Sequence, residues 1–133
     1  MIKGSCLCSS VKFEYQGELG KIAMCHCQQC RKAQGSPFAC NMPVESSGFN
    51  IVQGKALITE YESSPGKKRA FCSKCGSPIY SRRDELPDNV RLRMGTFDTP
   101  IDEKPAYHIY ATSKAEWWEI LDSCHQYEEL EPR

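Results

Sequence analysis

A chain of 133 residues is long enough for one ordinary domain and too short for two well-stabilised ones. Lysine plus arginine balance aspartate plus glutamate at 17 each, which excludes a bulk electrostatic pull toward nucleic acid or acidic membranes. With 40% apolar residues a core is possible, yet a domain of this size and low mean hydropathy often leans on a cross-link or a metal.

In chain order, Met1-Ile2-Lys3-Gly4-Ser5 runs straight into a cysteine motif, with no apolar stretch for secretion or membrane spanning. A soluble, cytoplasmic protein is the expectation. Val11, Phe13 and Tyr15 alternate with Lys12 and Glu14, the period-2 pattern of a half-buried strand. Similar runs occupy residues 49–52, 57–61, 69–71 and 90–94. Turn signals separate them at Gly17, Ser46-Ser47-Gly48, Ser63-Ser64-Pro65-Gly66 and Leu86-Pro87-Asp88-Asn89. The spacing predicts a mainly β domain of antiparallel sheets. Helix is predicted over 28–34, and over 114–121, where Ser113 would cap with Glu116 three residues on. The domain core is expected over about 4–121 of a single domain, 1–133, with a mobile tail at 126–133.

Nine cysteines dominate the chemistry. An odd count argues against a complete set of internal disulfides, and the absence of a secretion signal places the thiols in a reducing compartment. Seven form three tight clusters: Cys6-x-Cys8, Cys25-x-Cys27-x-x-Cys30 and Cys72-x-x-Cys75. Neighbours this close make poor disulfide partners but suit a metal that needs several thiolates within a few ångströms. Residues i and i+2 of a strand share a face, so Cys6 and Cys8 can reach one ion. Cys72 and Cys75 form a zinc knuckle, with Gly76 positioned to supply a positive φ. The two pairs together make the Cys₄ set of a structural zinc site.

Cys25, Cys27 and Cys30 put three thiolates within six residues, so gathering them costs little loop entropy. Three protein ligands plus an exchangeable position mark a catalytic zinc, and all-sulfur ligation suits a soft fourth ligand such as a substrate thiolate. Arg31 and Lys32 follow directly and would offset the negative charge. The spacing equally allows a second structural zinc completed by Cys40, Cys124, His26 or His125. Taken singly, Cys40 and Cys124 read as buried thiols and His108 as a packed or hydrogen-bonded histidine. Trp117-Trp118 reads as core packing, and Lys67-Lys68-Arg69 as a solvated turn.

These clusters, with their neighbours, resemble a known family. Gly4-Ser5-Cys6-Leu7-Cys8 followed by Val11-Lys12-Phe13 is similar to its start. Cys25-His26-Cys27-Gln28-Gln29-Cys30-Arg31-Lys32 with Gly35-Ser36 is similar to its centre, and Phe71-Cys72-Ser73-Lys74-Cys75-Gly76-Ser77-Pro78 to its second half. On these residues the chain resembles the glutathione-dependent formaldehyde-activating enzyme (GFA) family, which includes centromere protein V. The likeness runs from about Gly4 to the segment around Trp117, and departs where Ser9 stands in place of the usual glycine.

The resemblance implies the fold shared by methionine-R-sulfoxide reductase and translationally controlled tumour protein. It implies structural zinc at Cys6, Cys8, Cys72 and Cys75, and an active-site zinc at Cys25, Cys27 and Cys30. The activity it implies is that of a carbon–sulfur lyase joining formaldehyde to glutathione as S-hydroxymethylglutathione. A small thiol adduct would then be the partner, with no nucleic acid or membrane. His26 is the candidate proton carrier beside the metal. The alternative is a non-catalytic zinc module that binds a protein.

Overall fold

Alternating apolar and polar side chains build most of the strands of this computed structural model, which describes residues 1–132. In chain order they are β1 (Ile2–Ser5), β2 (Lys12–Tyr15), β3 (Ile22–Cys25), helix α1 (Gln28–Gln34), β4 (Ala39–Glu45) and β5 (Phe49–Gln53). There follow β6 (Ile58–Ser64), β7 (Lys67–Cys72), β8 (Pro78–Arg83), β9 (Asn89–Arg93), β10 (Pro105–Ile109) and β11 (His125–Gln126). Every strand predicted from alternation is present, and α1 has the bounds that the sequence predicts. The chain divides into two compact units, Met1–Gly20 with Met42–Asp102, and Lys21–Asn41 with Glu103–Arg133.

The first unit carries the antiparallel sheet β1-β2-β5 and the antiparallel meander β6 to β9. Phe13 is buried from β2 and meets the rings of Phe49 and Phe97 at 5.5 and 6.2 Å between centroids. Gly4 lies opposite Phe13 in the register, and a Cβ there would fall 2.1 Å from the ring. The pairing therefore requires a residue without a side chain. Ala70, Ile79, Val90 and Leu92 face inward from the meander. On its charged face Arg82 forks onto both carboxylate oxygens of Glu60 at 2.8 Å, and Lys68 bridges Glu62 and Asp84. Lys67-Lys68-Arg69 thus lies within strand β7 instead of forming a turn, with Lys67 buried.

In the second unit the order is β11-β10-β3-β4. β3 pairs antiparallel with β4, but β10 runs parallel to both β3 and β11. The sheets are therefore mixed, where antiparallel pairing alone was expected. β3 is Ile-Ala-Met-Cys with all four residues buried, a continuous apolar run of the kind that a parallel neighbour favours and alternation cannot flag.

Two further expectations change here. Residues 114–121 form no helix: Lys114 is extended at φ −59°, ψ 153° and its ammonium takes the carbonyls of Ala115 and Trp118, at 3.3 and 2.8 Å. Those acceptors would otherwise serve helical N–H groups. Trp117 is 66% exposed, so it is not core, and Trp118 is partly exposed. The C-terminal segment makes backbone hydrogen bonds to β10 and the turn after it. Tyr127 N–H donates to His108, Ala111 N–H to Tyr127 and Tyr110 N–H to Glu129, at 2.9–3.0 Å. Arg133, the last residue of the expected tail, lies outside the described residues. Among the described residues no helix is long and apolar enough to cross a membrane.

Candidate metal centres

Two groups of thiols gather, one in each unit. In the first unit, the Sγ atoms of Cys6, Cys8, Cys72 and Cys75 all lie within 4.8 Å of one another. Cys6 and Cys8 are 3.6 Å apart, and Cys8 and Cys72 3.9 Å. A tetrahedral zinc with ~2.3 Å Zn–S bonds requires sulfur–sulfur edges of about 3.8 Å, so the spacing fits the ion.

The loops are shaped for that purpose. Gly76 adopts φ 81° and donates its N–H to Cys72 O at 2.7 Å, closing the knuckle. Val11 N–H points at Cys6 Sγ, 3.3 Å away. Ser77 binds the two halves together: its Oγ accepts from Leu7 N–H at 2.8 Å and lies 3.3 Å from Cys75 Sγ. That hydroxyl, with the Ser77 N–H, pulls the Cys75 thiol down to about 5, so a thiolate is available at neutral pH. Hydrogen bonds from Ser10 likewise lower Cys8.

In the second unit, a strand-to-helix corner assembles Cys25, Cys27 and Cys30, whose Sγ atoms lie within 4.8 Å of one another. Cys25 ends β3. Cys27 is the N-cap of α1, extended at φ −62°, ψ 151°, and its sulfur accepts from Cys30 N–H at 3.3 Å. Cys30 is buried in the first turn, and the helix closes at Gly35 in the left-handed region, φ 63°. Ala23, Ala39 and Ile109 pack around Cys25 and Cys30, with Tyr107, Tyr110 and Tyr127 against the same cluster. The neighbouring Cys27 and Cys30 thiols, then burial, push Cys25 well above the usual thiol range. A bound dication reverses that preference, because it favours the thiolate in each position. The donor set therefore fits zinc or another soft, thiophilic metal.

Among the described residues, no fourth cysteine, histidine or carboxylate joins this trio. Cys124 Sγ instead donates to Pro105 O at 3.4 Å, and the His125 ring lies against Tyr127 at 4.1 Å. Burial raises the Cys40 thiol. His26 is fully buried, and its Nε2 lies 2.7 Å from His108 Nδ1. Its ring meets Phe38 at 5.2 Å. Successive residues of an extended chain face opposite sides, so the ring between two ligands points away from them. Burial, and then the His108 ring, push His26 down to about 4.

His108 is the hydrogen-bonded histidine that the sequence suggests; its partner Asp122 carried no sequence signal. Ser77 was equally silent, although a hydroxyl two residues after a knuckle cysteine is a feature that a search could use. The cations suggested for a ligand also separate. Lys68 and Arg82 are taken by Glu60, Glu62 and Asp84, while Arg31 and Lys32 lie on α1 beside the trio's ligands.

A family model described as glutathione-dependent formaldehyde-activating enzyme matches residues 1–113. A Schizosaccharomyces pombe protein named as an uncharacterized lyase is 30% identical over 119 residues, covering 82% of this chain and 85% of that protein. A Halomonas elongata protein named after the same family is 28% identical over 129 residues, covering 90% of this chain and 81% of its own length. Among solved structures, a Rhodobacter sphaeroides protein matches with TM-score 0.63 at 23% identity, covering 75% of this chain and 91% of the other.

Proposed function

Since the chain belongs to the glutathione-dependent formaldehyde-activating enzyme family, we propose that it is a zinc-dependent carbon–sulfur lyase acting on a thiol and a small carbonyl compound. Glutathione and formaldehyde are the pair that the family name suggests. The reading counts residues 1–133 as one cytoplasmic domain, because the family match runs through both units. Cys6, Cys8, Cys72 and Cys75 would hold a structural zinc, and Cys25, Cys27 and Cys30 a second.

One observation carries the proposal: three thiols converge within 4.8 Å, with no fourth side-chain donor among the described residues. Three ligands and a free position are what a catalytic zinc needs, and a closed structural site uses four. Zinc in the trio would supply a cation with one exchangeable position suited to a thiolate.

The chain's own residues do the rest. Ala23, Ala39 and Ile109 keep water from the inner side of the ligands. Tyr107, Tyr110 and Tyr127 stand against the same cluster, and Tyr110 does so from a left-handed conformation, φ 54°. That conformation costs a bulky L residue free energy, and the Tyr110 N–H bond to Glu129 O helps to hold it. Arg31 and Lys32 offset the negative charge of the thiolates.

In the reaction, the thiol sulfur forms a bond to the carbonyl carbon, the C=O π pair moves to oxygen, and that oxygen gains the proton that the thiol loses. Holding both reactants together supplies the main acceleration. We assign the proton to solvent rather than to His26, whose ring is bonded to His108.

Isothermal titration of the zinc-loaded protein with glutathione, alongside NMR of S-hydroxymethylglutathione formation, tests the proposal. Binding at one site per chain with faster adduct formation is the expected result. No binding by fully zinc-loaded protein would remove glutathione as the substrate. Binding of a stoichiometric protein partner without adduct formation would favour the non-catalytic module.

A further inference from the structure

A chain of three hydrogen-bonded side chains, two buried histidines and an exposed aspartate, runs through the second unit and is not used by the chemistry above. Asp122, with its side chain 44% exposed, sits with both oxygens 3.1 Å from His108 Nε2, and its Oδ1 also accepts from Cys124 N–H at 2.9 Å. His108 is buried, and its Nδ1 lies 2.7 Å from Nε2 of His26, which is buried as well. With both rings neutral, the protons along this chain have one arrangement. A carboxylate only accepts, so His108 carries its proton on Nε2. Its Nδ1 is then an acceptor, and His26 donates from Nε2. The remaining His26 nitrogen, Nδ1, is buried without a partner among the described residues.

His26 is therefore retained in the interior for a single ring hydrogen bond, at some cost for the orphaned atom. What the residue has instead is complete fixation. Its N–H donates to Ile109 O at 3.0 Å, its carbonyl accepts from Arg31 Nε at 3.3 Å, and its ring rests on Phe38 at 5.2 Å. It stands between two thiol ligands, so whatever orients it sets the direction of Cys25 and Cys27.

We propose that Asp122, His108 and His26 form a positioning chain for the three-thiol site: they hold His26 from behind, so that Cys25 and Cys27 present their sulfurs in ligand geometry before a metal arrives. His26 acts through its neighbours and Asp122 acts through His108. The role resembles the outer hydrogen bonds that orient metal ligands elsewhere, whose loss typically costs about 10–100-fold in metal affinity. It also gives a function to residues 114–132, which lie beyond the family match at residue 113. The inference rests on the reading that the trio holds a metal.

The test is cobalt(II) titration of the metal-free protein against a competing chelator, followed by the thiolate-to-cobalt charge-transfer band. The first equivalent reports the Cys₄ site and the second reports the trio. Asp122→Ala should weaken the second equivalent by roughly 10–100-fold and leave the first unchanged. Asp122→Asn keeps an acceptor for His108 Nε2–H and should restore most of the loss. A loss of general stability would lower the melting temperature without this selectivity or this rescue. If Asp122→Ala does not fold, Asp122→Ser replaces it with the same expectation, since Ser can still cap Cys124 N–H but is too short for His108. Two equivalents in the wild type with unchanged trio affinity in the truncated variant would overturn the positioning chain alone. Only one equivalent in the wild type would overturn the metal reading of the trio, and this inference with it.

Discussion

Replacing Cys72 by serine should cost the fold far more than replacing Cys27. Cys72 is fully buried, and its sulfur lies 3.9 Å from that of Cys8, 64 residues away in sequence. A cross-link closing a loop of that length removes about 4 kcal/mol of denatured-state freedom, on the chain-entropy estimate developed for disulfides. The trio closes only the short loop from Cys25 to Cys30, for which the same relation yields about 2 kcal/mol. With an unfolding entropy of about 2.1 cal/mol/K per residue, these translate into melting shifts of roughly 15 °C and 7 °C for a chain of this length. Serine at position 27 also keeps an oxygen to accept from Cys30 N–H, so the cap of α1 survives. The assay is zinc per chain by elemental analysis together with a thermal melt. Wild type should hold two zinc ions. Cys27→Ser should hold one and melt slightly lower, and Cys72→Ser should melt far lower or fail to fold. A Cys27→Ser protein that unfolds, or a Cys72→Ser protein that melts within a few degrees of wild type, would refute the division into a closed structural site and a separable open one.

Ser9 occupies the left-handed region at φ 64° and is exposed. Ser9→Gly should remove about 1–2 kcal/mol of backbone cost while adding about 0.5–1 kcal/mol of chain freedom, so denaturant titration should find a small net stabilisation. Gly4→Ala places a methyl against the Phe13 ring and 2.7 Å from Thr96 O, and should destabilise by about 1–3 kcal/mol in the same measurement. Arg82→Gln breaks the paired contacts to Glu60. Because the pair is partly exposed, the loss should stay below about 1 kcal/mol and largely vanish near 1 M salt, where screening acts within ~3 Å; double-mutant cycles with Glu60→Gln read both.

The local pattern was most informative where one residue's neighbours decide its fate. Alternation at 11–15 became β2, and the Cys27 to Gly35 segment became a seven-residue helix with a sulfur cap and a left-handed stop. Cysteine spacing marked each local cluster, because thiols two or three residues apart need only a strand pitch or a tight turn to meet, whereas the meeting of Cys6 and Cys8 with Cys72 and Cys75 depends on the tertiary fold. Gly76 likewise adopts the positive φ that the knuckle turn was expected to need.

What the sequence could not supply was every pairing that depends on distant segments. β3 and β10 align in parallel across a long stretch of chain, and each alone is a short apolar run without direction. Residues 114–121 carry a capping signal for a helix, but tertiary contacts offered Lys114 the carbonyls that such a helix would use. Nothing in the composition of the charged C-terminal segment reveals that His108, Tyr110 and Ala111 present backbone groups for it to bond. His26 is the sharpest case. Its place between two cysteines suggested a proton carrier, yet extended geometry turns its ring away toward His108 and Asp122, 82 and 96 residues further along the chain. Ligand spacing is a local property and is written in the sequence, whereas the direction a side chain faces, and what meets it there, is decided only when remote strands come together.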